Sequence, residues 1–281
     1  MSATAPAKPF AQYLFREYVF PGGVRKCAVA LKRRWAGGWR TTQVSAHLND
    51  EANAGLWADI HARDQQALYD YVVYQKGRTS YLLKDDRVTY GDRSQVESYL
   101  HEQMASALEL SASPEAAVLE FGCAAGRNLF WLKTRYPNLS LHGVDVSAEG
   151  LRAGEAMARQ FGLDVSFTVL RDHCLPFPDG AFEMAFTKHC LEQCPSTYPA
   201  IIQELWRVTK KRLVFMEPMP ELYPWSVRGV GGRLHNFYCD YARGIFSHLR
   251  QVGGIRQAER LRWASNPLNE TCLIVMEKPA R

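Results

Sequence analysis

A glycine-rich turn near the middle of the chain constrains the fold more than any other feature. The segment VLEFGCAAG, residues 118–126, begins as a short apolar strand and ends in a turn that contains Gly122 and Gly126. A helix is predicted to follow, from Asn128 to Tyr136. Glycine lets a backbone approach a ligand closely, and the free N–H groups of a helix N-terminus favour an anion. The pattern predicts a nucleotide site at the carboxyl end of a strand in an α/β sheet.

From Ser94 onward the hydrophobic pattern alternates between strands and helices. Strands are predicted at Ala117–Phe121, Ser140–Val146, Val165–Leu170, Ala181–Thr187, Arg212–Glu217, Arg256–Trp263 and Thr271–Glu277. Helices are predicted at Val96–Leu110, Asn128–Tyr136, Ala148–Phe161, Tyr198–Val208 and Phe237–Val252. This alternation indicates a mostly parallel sheet covered by helices on both faces. The link SNPLNE, 265–270, predicts a hairpin between the last two strands, so one edge should be antiparallel.

The first 94 residues differ in character, because aromatic and charged side chains replace the regular alternation. We interpret residues 1–94 as several short helices that form an aromatic cap, with helical spacing from Glu51 to Val73. The core domain is expected to span 95–281. A basic cluster from Lys32 to Arg40 favours a solvated helix end over a phosphate or membrane contact.

Composition excludes several classes of protein. Of the 281 residues, 47% are hydrophobic and 22% are charged, which is typical of a soluble domain. A net charge of +5 does not indicate a dedicated nucleic-acid binder. Seven irregularly spaced cysteines favour reduced thiols in the cytoplasm. We expect no membrane span and no secretory leader, and nothing in the sequence sets the oligomeric state.

The residues around the turn narrow the choice of ligand. A dinucleotide fingerprint would need glycine where Ala124 and Arg127 stand, which argues against NAD or FAD. Asp145, at the end of the next strand, is placed to accept two ribose hydroxyls; capping the following helix is the alternative, although Ser147 suits that role better. Glu120 favours a ligand with an amino group, unless it braces the N–H groups of its own loop.

Four segments in register carry a resemblance to a known family. They are VLEFGCAAGRNLFWL, LHGVDVSAEGL, VLRDHCLPFPDGAFEMAFTKHCLEQCP and LWRVTKKRLVFMEP, and together they cover roughly Val96–Lys278. Their order and spacing resemble class I S-adenosylmethionine (SAM) dependent methyltransferases, in the small-molecule branch. The resemblance implies a Rossmann-like sheet of seven strands with the last one antiparallel, and SAM as the cofactor. Glu183 and Gln193 depart from the usual residues of that branch, which bears on the subfamily only.

The resemblance also implies roles by position. The methionine part of SAM would lie among Glu120, Gly122, Cys123 and Gly126, and the ribose would lie on Asp145. Adenine would meet Val146, Asp172 and the backbone of His173, and the transferred methyl would be bordered by Thr187, Lys188 and His189.

Methyl transfer from a sulfonium needs alignment and, for a protonated acceptor, a base. We expect His189 to be the base and Glu217 to be the second candidate. The alternatives are an orienting histidine and a carboxylate that braces its loop. No metal is expected, because the nearby histidines and cysteines lack a paired C-x-x-C pattern.

Substrate recognition is expected outside the matched motifs, in the cap and in residues 218–241. The candidate substrate residues are Tyr90, Tyr223, Trp225, Arg228, His235 and Tyr238, with ordinary packing as the alternative. Glycines in 229–232 predict a mobile segment there. The predicted function is methyl transfer to oxygen or nitrogen of a small molecule. The alternatives are a non-catalytic SAM-binding scaffold and, on the same fold, a dinucleotide-dependent oxidoreductase.

Overall fold

The computed structural model describes residues 65–279, in which helices pack around one large sheet and one small sheet. Predictions that concern residues 1–64 lie outside the described residues. They include the helical spacing from Glu51 up to residue 64 and the basic cluster from Lys32 to Arg40.

The described elements follow one another closely along the chain. The helices are α1 (Gln65–Tyr74), α2 (Ser94–Ala107), α3 (Arg127–Arg135), α4 (Ala148–Phe161), α5 (Tyr198–Val208), α6 (Val227–Tyr238) and α7 (Ile245–Val252). The strands are β1 (Thr79–Lys84), β2 (Arg87–Asp92), β3 (Ala117–Phe121), β4 (Ser140–Asp145), β5 (Ser166–Val169), β6 (Phe182–Lys188), β7 (Thr209–Glu217), β8 (Ile255–Arg260), β9 (Trp263–Ala264) and β10 (Cys272–Glu277). Short 3-10 helices lie at Leu110–Ala112, Leu191–Gln193 and Pro220–Leu222.

The large sheet confirms the predicted Rossmann-like architecture. Its seven strands are ordered β5-β4-β3-β6-β7-β10-β8, and β10 is antiparallel to both of its neighbours. The chain leaves β3 for β4 on one side and later returns to β6 on the other side. A crevice therefore opens between β3 and β6 at the carboxyl ends of the parallel strands, where sheets of this kind bind their ligands.

The two faces of the sheet build two apolar cores, and β3 shows how. Val118 packs into the core beneath α1 to α4, whereas Leu119 and Phe121 pack into the core beneath α5 and α7. Successive side chains of a strand point to opposite faces, so Glu120 shares its face with Val118. This alternation places Glu120 beside α3 and Phe121 on the side of the crevice that α5 covers.

A β-hairpin replaces the short helices that we predicted just before Ser94. Strands β1 and β2 pair from Thr79↔Asp92 to Lys84↔Arg87. The two turn residues, Asp85 and Asp86, have φ values of 46° and 66°, which is the mirror-image turn that suits a two-residue hairpin. The helical interpretation is therefore wrong for residues 79–92.

The link between β8 and β10 also differs from the predicted simple hairpin. The two strands do pair antiparallel, as predicted, but β8 ends at Arg260 and not at Trp263. The link then supplies β9, which pairs with β1 and completes a three-stranded antiparallel sheet. The small sheet therefore joins the hairpin to the far edge of the large sheet.

The segment 218–241 contains helix α6 where a mobile segment was predicted. Its glycines permit close packing: a Cβ at Gly229 would lie 1.8 Å from the Pro224 carbonyl oxygen, and one at Gly232 would lie 2.7 Å from the Tyr223 ring. The single helix predicted over 237–252 is divided, because Asp240 and Gly244 both take positive φ values between α6 and α7.

Residues 65–279 form seven α-helices. In this part of the chain, none combines the length and the apolar character needed to cross a bilayer.

Candidate functional site

A cavity of about 500 Å³ opens at the carboxyl edge of the large sheet, beside the crevice between β3 and β6. It is lined by five of the residues that the sequence assigned to the cofactor, namely Gly122, Asp145, Val146, Asp172 and His173. Other lining residues are Phe121, Leu170, Arg171, Cys190, Gln193, Cys194, Thr197 and Ile201. Residues at or after the ends of four neighbouring strands, β5, β4, β3 and β6, thus meet at one cavity, as the strand order requires.

Asp145 ties the glycine turn to the end of β4. Its Oδ2 accepts a hydrogen bond from the Ala124 backbone N–H at 2.7 Å, and its Oδ1 accepts one from the Ser147 N–H at 2.8 Å. Ser147 itself caps α4, with its Oγ accepting from the Gly150 N–H at 3.0 Å. The cap is therefore Ser147, as the sequence favoured. A carboxylate oxygen can accept more than one hydrogen bond, so holding these backbone groups does not prevent Asp145 from accepting a hydroxyl.

The far wall of the cavity suits a flat ring. Val146 is 51% exposed and presents an apolar side chain to the cavity. Asp172 lies in the exposed loop after β5, where its Oδ1 accepts from the Cys174 N–H at 2.8 Å. An apolar surface with a carboxylate close by offers both stacking and a hydrogen bond to a purine.

The glycine turn has a packing role that the sequence analysis missed. Gly122 and Gly126 have φ values of 76° and 78°. A Cβ at Gly122 would lie 2.0 Å from the Sγ of Cys190, and one at Gly126 would lie 2.7 Å from the Phe167 ring. Cys123, in contrast, is 5% exposed and does not line the cavity, so only its backbone faces the turn.

Beneath the turn lies a buried polar cluster formed by Glu97, His101, Glu120, Asn128 and Lys188. Asn128 is at its centre: its Nδ2 donates to Glu120 at 2.6 Å, and its Oδ1 lies 3.3 Å from the Lys188 Nζ and 3.1 Å from a His101 ring nitrogen. The Lys188 Nζ also lies 3.1 Å from a Glu97 oxygen. The side chains of Glu120 and Lys188 point into this cluster and do not line the cavity, which corrects their predicted contact with the cofactor.

Burial determines the protonation of this cluster. It raises the pKa of Glu120 to about 7, against the opposing effects of Asn128 and Lys188. Burial also lowers the pKa of Lys188, although Glu97 opposes the shift. Burial alone would raise the pKa of Glu97, but the positive charges of Lys188 and Arg127 outweigh burial and lower this pKa. The Glu97–Lys188 pair is therefore the charged part of the cluster, and Glu120 is the carboxyl that takes up a proton near neutrality.

His189 follows β6 in a strained backbone conformation with φ of 54°. Its Nδ1 lies 3.3 Å from an oxygen of Glu192, and its Nε2 lies 2.7 Å from the Thr271 hydroxyl. Buried Glu192 also accepts from Asn269 Nδ2 at 3.2 Å. Burial lowers the pKa of His189, but the charges of Glu192 and Glu217 outweigh burial, and the net shift is upward.

Three partners of His189 were missed in the sequence. The spacing of Glu192, three residues after the histidine in a short helix, is a local signal that could have identified it. Asn269 and Thr271 carry no such signal, because only the pairing of β10 with β7 brings them to the end of β6.

Glu217 and Thr187 lie inside the protein and not at the cavity. Glu217 is fully buried, and its two oxygens accept from the backbone N–H groups of Cys190 at 3.1 Å and Glu192 at 3.4 Å. Burial, followed by repulsion from Glu192, raises its pKa to about 7. Glu217 therefore braces the loop after β6, which corrects its assignment as a catalytic candidate. Thr187 is fully buried, so the predicted border with the methyl is not made by its side chain.

Two of the six predicted substrate residues serve packing. Tyr223 is 3% exposed and its hydroxyl donates to the Glu270 carbonyl oxygen at 2.8 Å. Arg228 forms ion pairs with Asp86 at 2.5 Å and with Glu270 at 2.9 Å. Both assignments to substrate are therefore corrected.

The other four predicted substrate residues are more accessible, although none lines the cavity described above. Tyr90 is 42% exposed and packs edge-on against Tyr81. Trp225 is 87% exposed beneath the Arg233 guanidinium, 4.4 Å from the ring centre. His235 and Tyr238 lie half-buried on α6.

Among residues 65–279, no group of three or more histidine, cysteine or acidic side chains is arranged to hold an ion.

Comparison with known proteins agrees with this geometry. Residues 118–212 match a family model described as "Methyltransferase domain". The sheet order, the glycine turn and the carboxylate at the end of β4 agree with this match and resemble those of class I SAM-dependent methyltransferases. SAM is the cofactor of that class.

Two relatives align with part of the chain. It is 30% identical over 93 residues to ajmaline N-methyltransferase of Rauvolfia serpentina, covering 32% of this chain and 31% of that protein. It is 29% identical over 133 residues to demethylmenaquinone methyltransferase of Thermus thermophilus, covering 47% and 57% of the two chains. The matched stretches thus span less than two thirds of either relative.

Solved structures share the fold at low identity. The cyclase SpnF superposes with a TM-score of 0.57 at 18% identity, covering 77% of this chain and 96% of that one. Geranyl diphosphate C-methyltransferase from Streptomyces coelicolor superposes with a TM-score of 0.52 at 14% identity, covering 67% and 78%. These likenesses concern the fold alone.

Proposed function

We propose that this protein transfers the methyl group of SAM to an oxygen or nitrogen atom of a small molecule. The observation that carries the proposal is the Asp145 carboxylate, which is held by the glycine turn on one side of it and opens to the cavity on the other. An exposed apolar residue, Val146, follows it directly. This combination fits a nucleoside with a free ribose diol.

The residues of the cavity fit SAM part by part. Asp145 would accept the ribose hydroxyls, Val146 would lie against the adenine, and Asp172 with His173 would meet the adenine edge. The backbone at Gly122–Gly126 and the N-terminus of α3 would face the methionine carboxylate. When bound, SAM supplies a methyl group already activated by its sulfonium.

His189 is the base in this proposal. Glu192 holds Nδ1 and raises the pKa of the ring against the effect of burial, while Nε2 bonds only to the Thr271 hydroxyl among the contacts of the described residues. An O–H or N–H group of the methyl-accepting substrate, in place of the Thr271 hydroxyl, would deliver its proton to Nε2. The arrangement resembles other catalytic histidines that a carboxylate orients through the second ring nitrogen.

The small-molecule acceptor is supported by the relatives and by the described fold. Ajmaline N-methyltransferase and geranyl diphosphate C-methyltransferase are named for small acceptors. The proposal includes a cytoplasmic location, for which the irregular spacing of the seven cysteines in the sequence is the support. It also keeps the division into a cap region, 1–94, and a core domain, 95–281.

A non-methylating use of the same fold is the second candidate, because one superposable structure is a cyclase. Binding of S-adenosylhomocysteine (SAH) and of NADH, measured by calorimetry, tests the cofactor. Incubation with methyl-labelled SAM and a metabolite extract tests the transfer. We expect SAH to bind and a labelled small product to form. SAH binding without a product would favour a scaffold, and NADH binding without SAH binding would contradict the proposal.

A further inference from the structure

Two thiols occupy the wall of the cofactor cavity, and the proposed methyl transfer uses neither of them. Cys190 and Cys194 both line the cavity and both are half-buried. The short 3-10 helix Leu191–Gln193 separates them, and the Sγ of Cys194 lies 3.7 Å from the carbonyl oxygen of Cys190. Both side chains therefore face the same part of the cavity and are open to small solutes that enter it.

The two thiols interact with each other. The neighbouring Cys190 thiol lowers the pKa of the Cys194 thiol, and the Cys194 thiol in turn raises the pKa of Cys190. Cys194 is thus the thiol of the pair that loses its proton more readily. A thiolate with a neighbouring thiol is the arrangement that oxidants convert into a disulfide.

Cys190 also shapes the surface on which the cofactor is proposed to lie. A Cβ at Gly122 would meet the Sγ of Cys190 at 2.0 Å and its Cβ at 2.5 Å, so this side chain rests directly on the glycine turn. A bond from Cys190 to Cys194 would reorient that sulfur and stiffen the short helix between them. Either change alters the wall beside the turn.

We propose that Cys190 and Cys194 form a redox-modifiable dithiol whose oxidation to a disulfide weakens cofactor binding. The identity of the ligand rests on the proposed function, but the chemistry of the thiols does not. Among the cysteines of the described residues, this pair alone lines the cavity; Cys123 and Cys272 are buried, and Cys174 and Cys239 are exposed elsewhere.

The reaction needs a peroxide as the oxidant. The Cys194 thiolate attacks one oxygen of hydrogen peroxide, which forms a sulfenic acid and releases hydroxide. The Cys190 thiol then attacks the Cys194 sulfur and displaces its hydroxyl group, which leaves as water with the proton of the Cys190 thiol. The hydroxide from the first step takes up the proton that Cys194 had lost and becomes the second water. Two thiols lose two electrons and two protons in total, and the peroxide is reduced to two waters.

The test compares the full-length protein before and after treatment with hydrogen peroxide. Peptide mapping by mass spectrometry identifies the linked cysteines, and calorimetry measures the dissociation constant of SAH in each form. We expect a Cys190–Cys194 link and a dissociation constant raised on the order of tenfold, both reversed by dithiothreitol. In Cys194→Ser the ratio of the SAH dissociation constants of treated and untreated protein should stay near one. Cys174→Ser and Cys239→Ser should behave like the wild type.

The outcomes separate this inference from the proposed function. Peptides without the Cys190–Cys194 link, or a link that leaves SAH binding unchanged, would overturn the inference. If reduced protein does not bind SAH, the proposed function fails and this inference fails as a statement about SAM, while the mapping still decides whether the disulfide forms.

Discussion

Asp145 shows how one side chain can serve the fold and the ligand together. Its two oxygens accept from the backbone N–H groups of Ala124 and Ser147, so the carboxylate fixes the glycine turn against the start of α4. A charged acceptor is strong in this position because both donors are backbone groups near a helix N-terminus. The same carboxylate lines the cavity, so a change there affects the shape of the turn as well as the proposed contact with the ribose.

Replacing Asp145 by asparagine should therefore weaken SAH binding on the order of 30-fold, or about 2 kcal/mol. The amide has one acceptor oxygen, so one of the two backbone N–H groups would face an NH₂ group. Calorimetric titration with SAH measures the effect. Asp164→Asn, in an exposed position before β5, is the matched control and should bind SAH like the wild type. Equal affinities for the two variants would refute the role given to Asp145.

The pair of His189 and Glu192 predicts a pH dependence. Burial alone would lower the pKa of His189, and Glu192 is the leading cause of the net upward shift. Since the neutral ring is the proposed base, activity should rise as the pH passes upward through this pKa. In Glu192→Gln the attraction is lost and the pKa falls, so the acid limb of the kcat/KM profile should move to lower pH.

The measurement is the pH profile of kcat/KM for the wild type, Glu192→Gln and a control, Glu221→Gln, which changes an exposed carboxylate. The control should leave the acid limb in place. A slower Glu192→Gln enzyme with an unshifted acid limb would mean that Glu192 only supports the structure. His189→Ala with full turnover would exclude the histidine as the base.

At the scale of elements, α6 is a helix built around close approaches. Because alanine has the higher helix propensity, Gly229→Ala alone would stabilise the helix by about 1 kcal/mol. The added Cβ, however, would lie 1.8 Å from the Pro224 carbonyl oxygen, and backbone cannot yield as a flexible side chain does. Overpacking of this kind costs about 1–3 kcal/mol or more, so we expect a net loss of about 1–2 kcal/mol.

Urea unfolding of Gly229→Ala measures that loss. The matched control is Gly91→Ala, where the nearest atom to an added Cβ would be Leu82 Cδ1 at an ordinary 3.9 Å. We expect the control to change the free energy of unfolding by less than about 0.5 kcal/mol. A Gly229→Ala protein as stable as the wild type would show that the helix can shift away from Pro224.

The large sheet was predictable because its signals are local. Each parallel strand is a short apolar run between turn residues, and each crossover helix shows its own periodicity. The mostly parallel sheet of seven strands therefore followed from the alternation and the family resemblance. The β1–β2 hairpin was missed because aromatic and charged residues hide its alternation, and the Asp85–Asp86 turn lacks the glycine that usually marks such turns.

The position of the candidate site at the strand ends was predictable from the sequence. Which side chains of those strands face the cavity was harder to predict. Asp145 ends a parallel strand and Val146 follows it directly, so both line the cavity at the carboxyl edge of the sheet. The side chains of Glu120 and Lys188 do not line the cavity and point into the buried polar cluster. The partners of His189 depend on β10, whose place beside β7 no local pattern encodes.

At the scale of the whole molecule, an ion cluster fastens the hairpin to the rest of the domain. Glu270 is fully buried and pairs with Arg260 at 2.5 Å and with Arg228 at 2.9 Å. Arg228 reaches on to Asp86 in the hairpin turn. Helix α6, the link before β10 and the hairpin therefore meet at one buried carboxylate.

Glu270→Gln should lower the free energy of unfolding by about 3 kcal/mol, because two arginines would lose their buried counter-ion. Asp86→Asn is the control: its side chain is 70% exposed, so we expect a loss below about 1 kcal/mol. Urea unfolding followed by tryptophan fluorescence compares the two variants. Equal and small losses would indicate that solvent reaches the cluster and screens it.

The pairing of β9 with β1 has a consequence for biosynthesis. Leu83 and Lys84 pair with Ala264 and Trp263, which leave the ribosome only after nearly all of the large sheet has been made. This pairing therefore cannot form until late in synthesis. Until then the hairpin offers an open strand edge that can pair with other chains. Contacts between such distant parts of a chain also form slowly. The nascent protein should therefore depend on chaperones until its final strands emerge, and a ribosome stalled before residue 263 should hold an aggregation-prone chain.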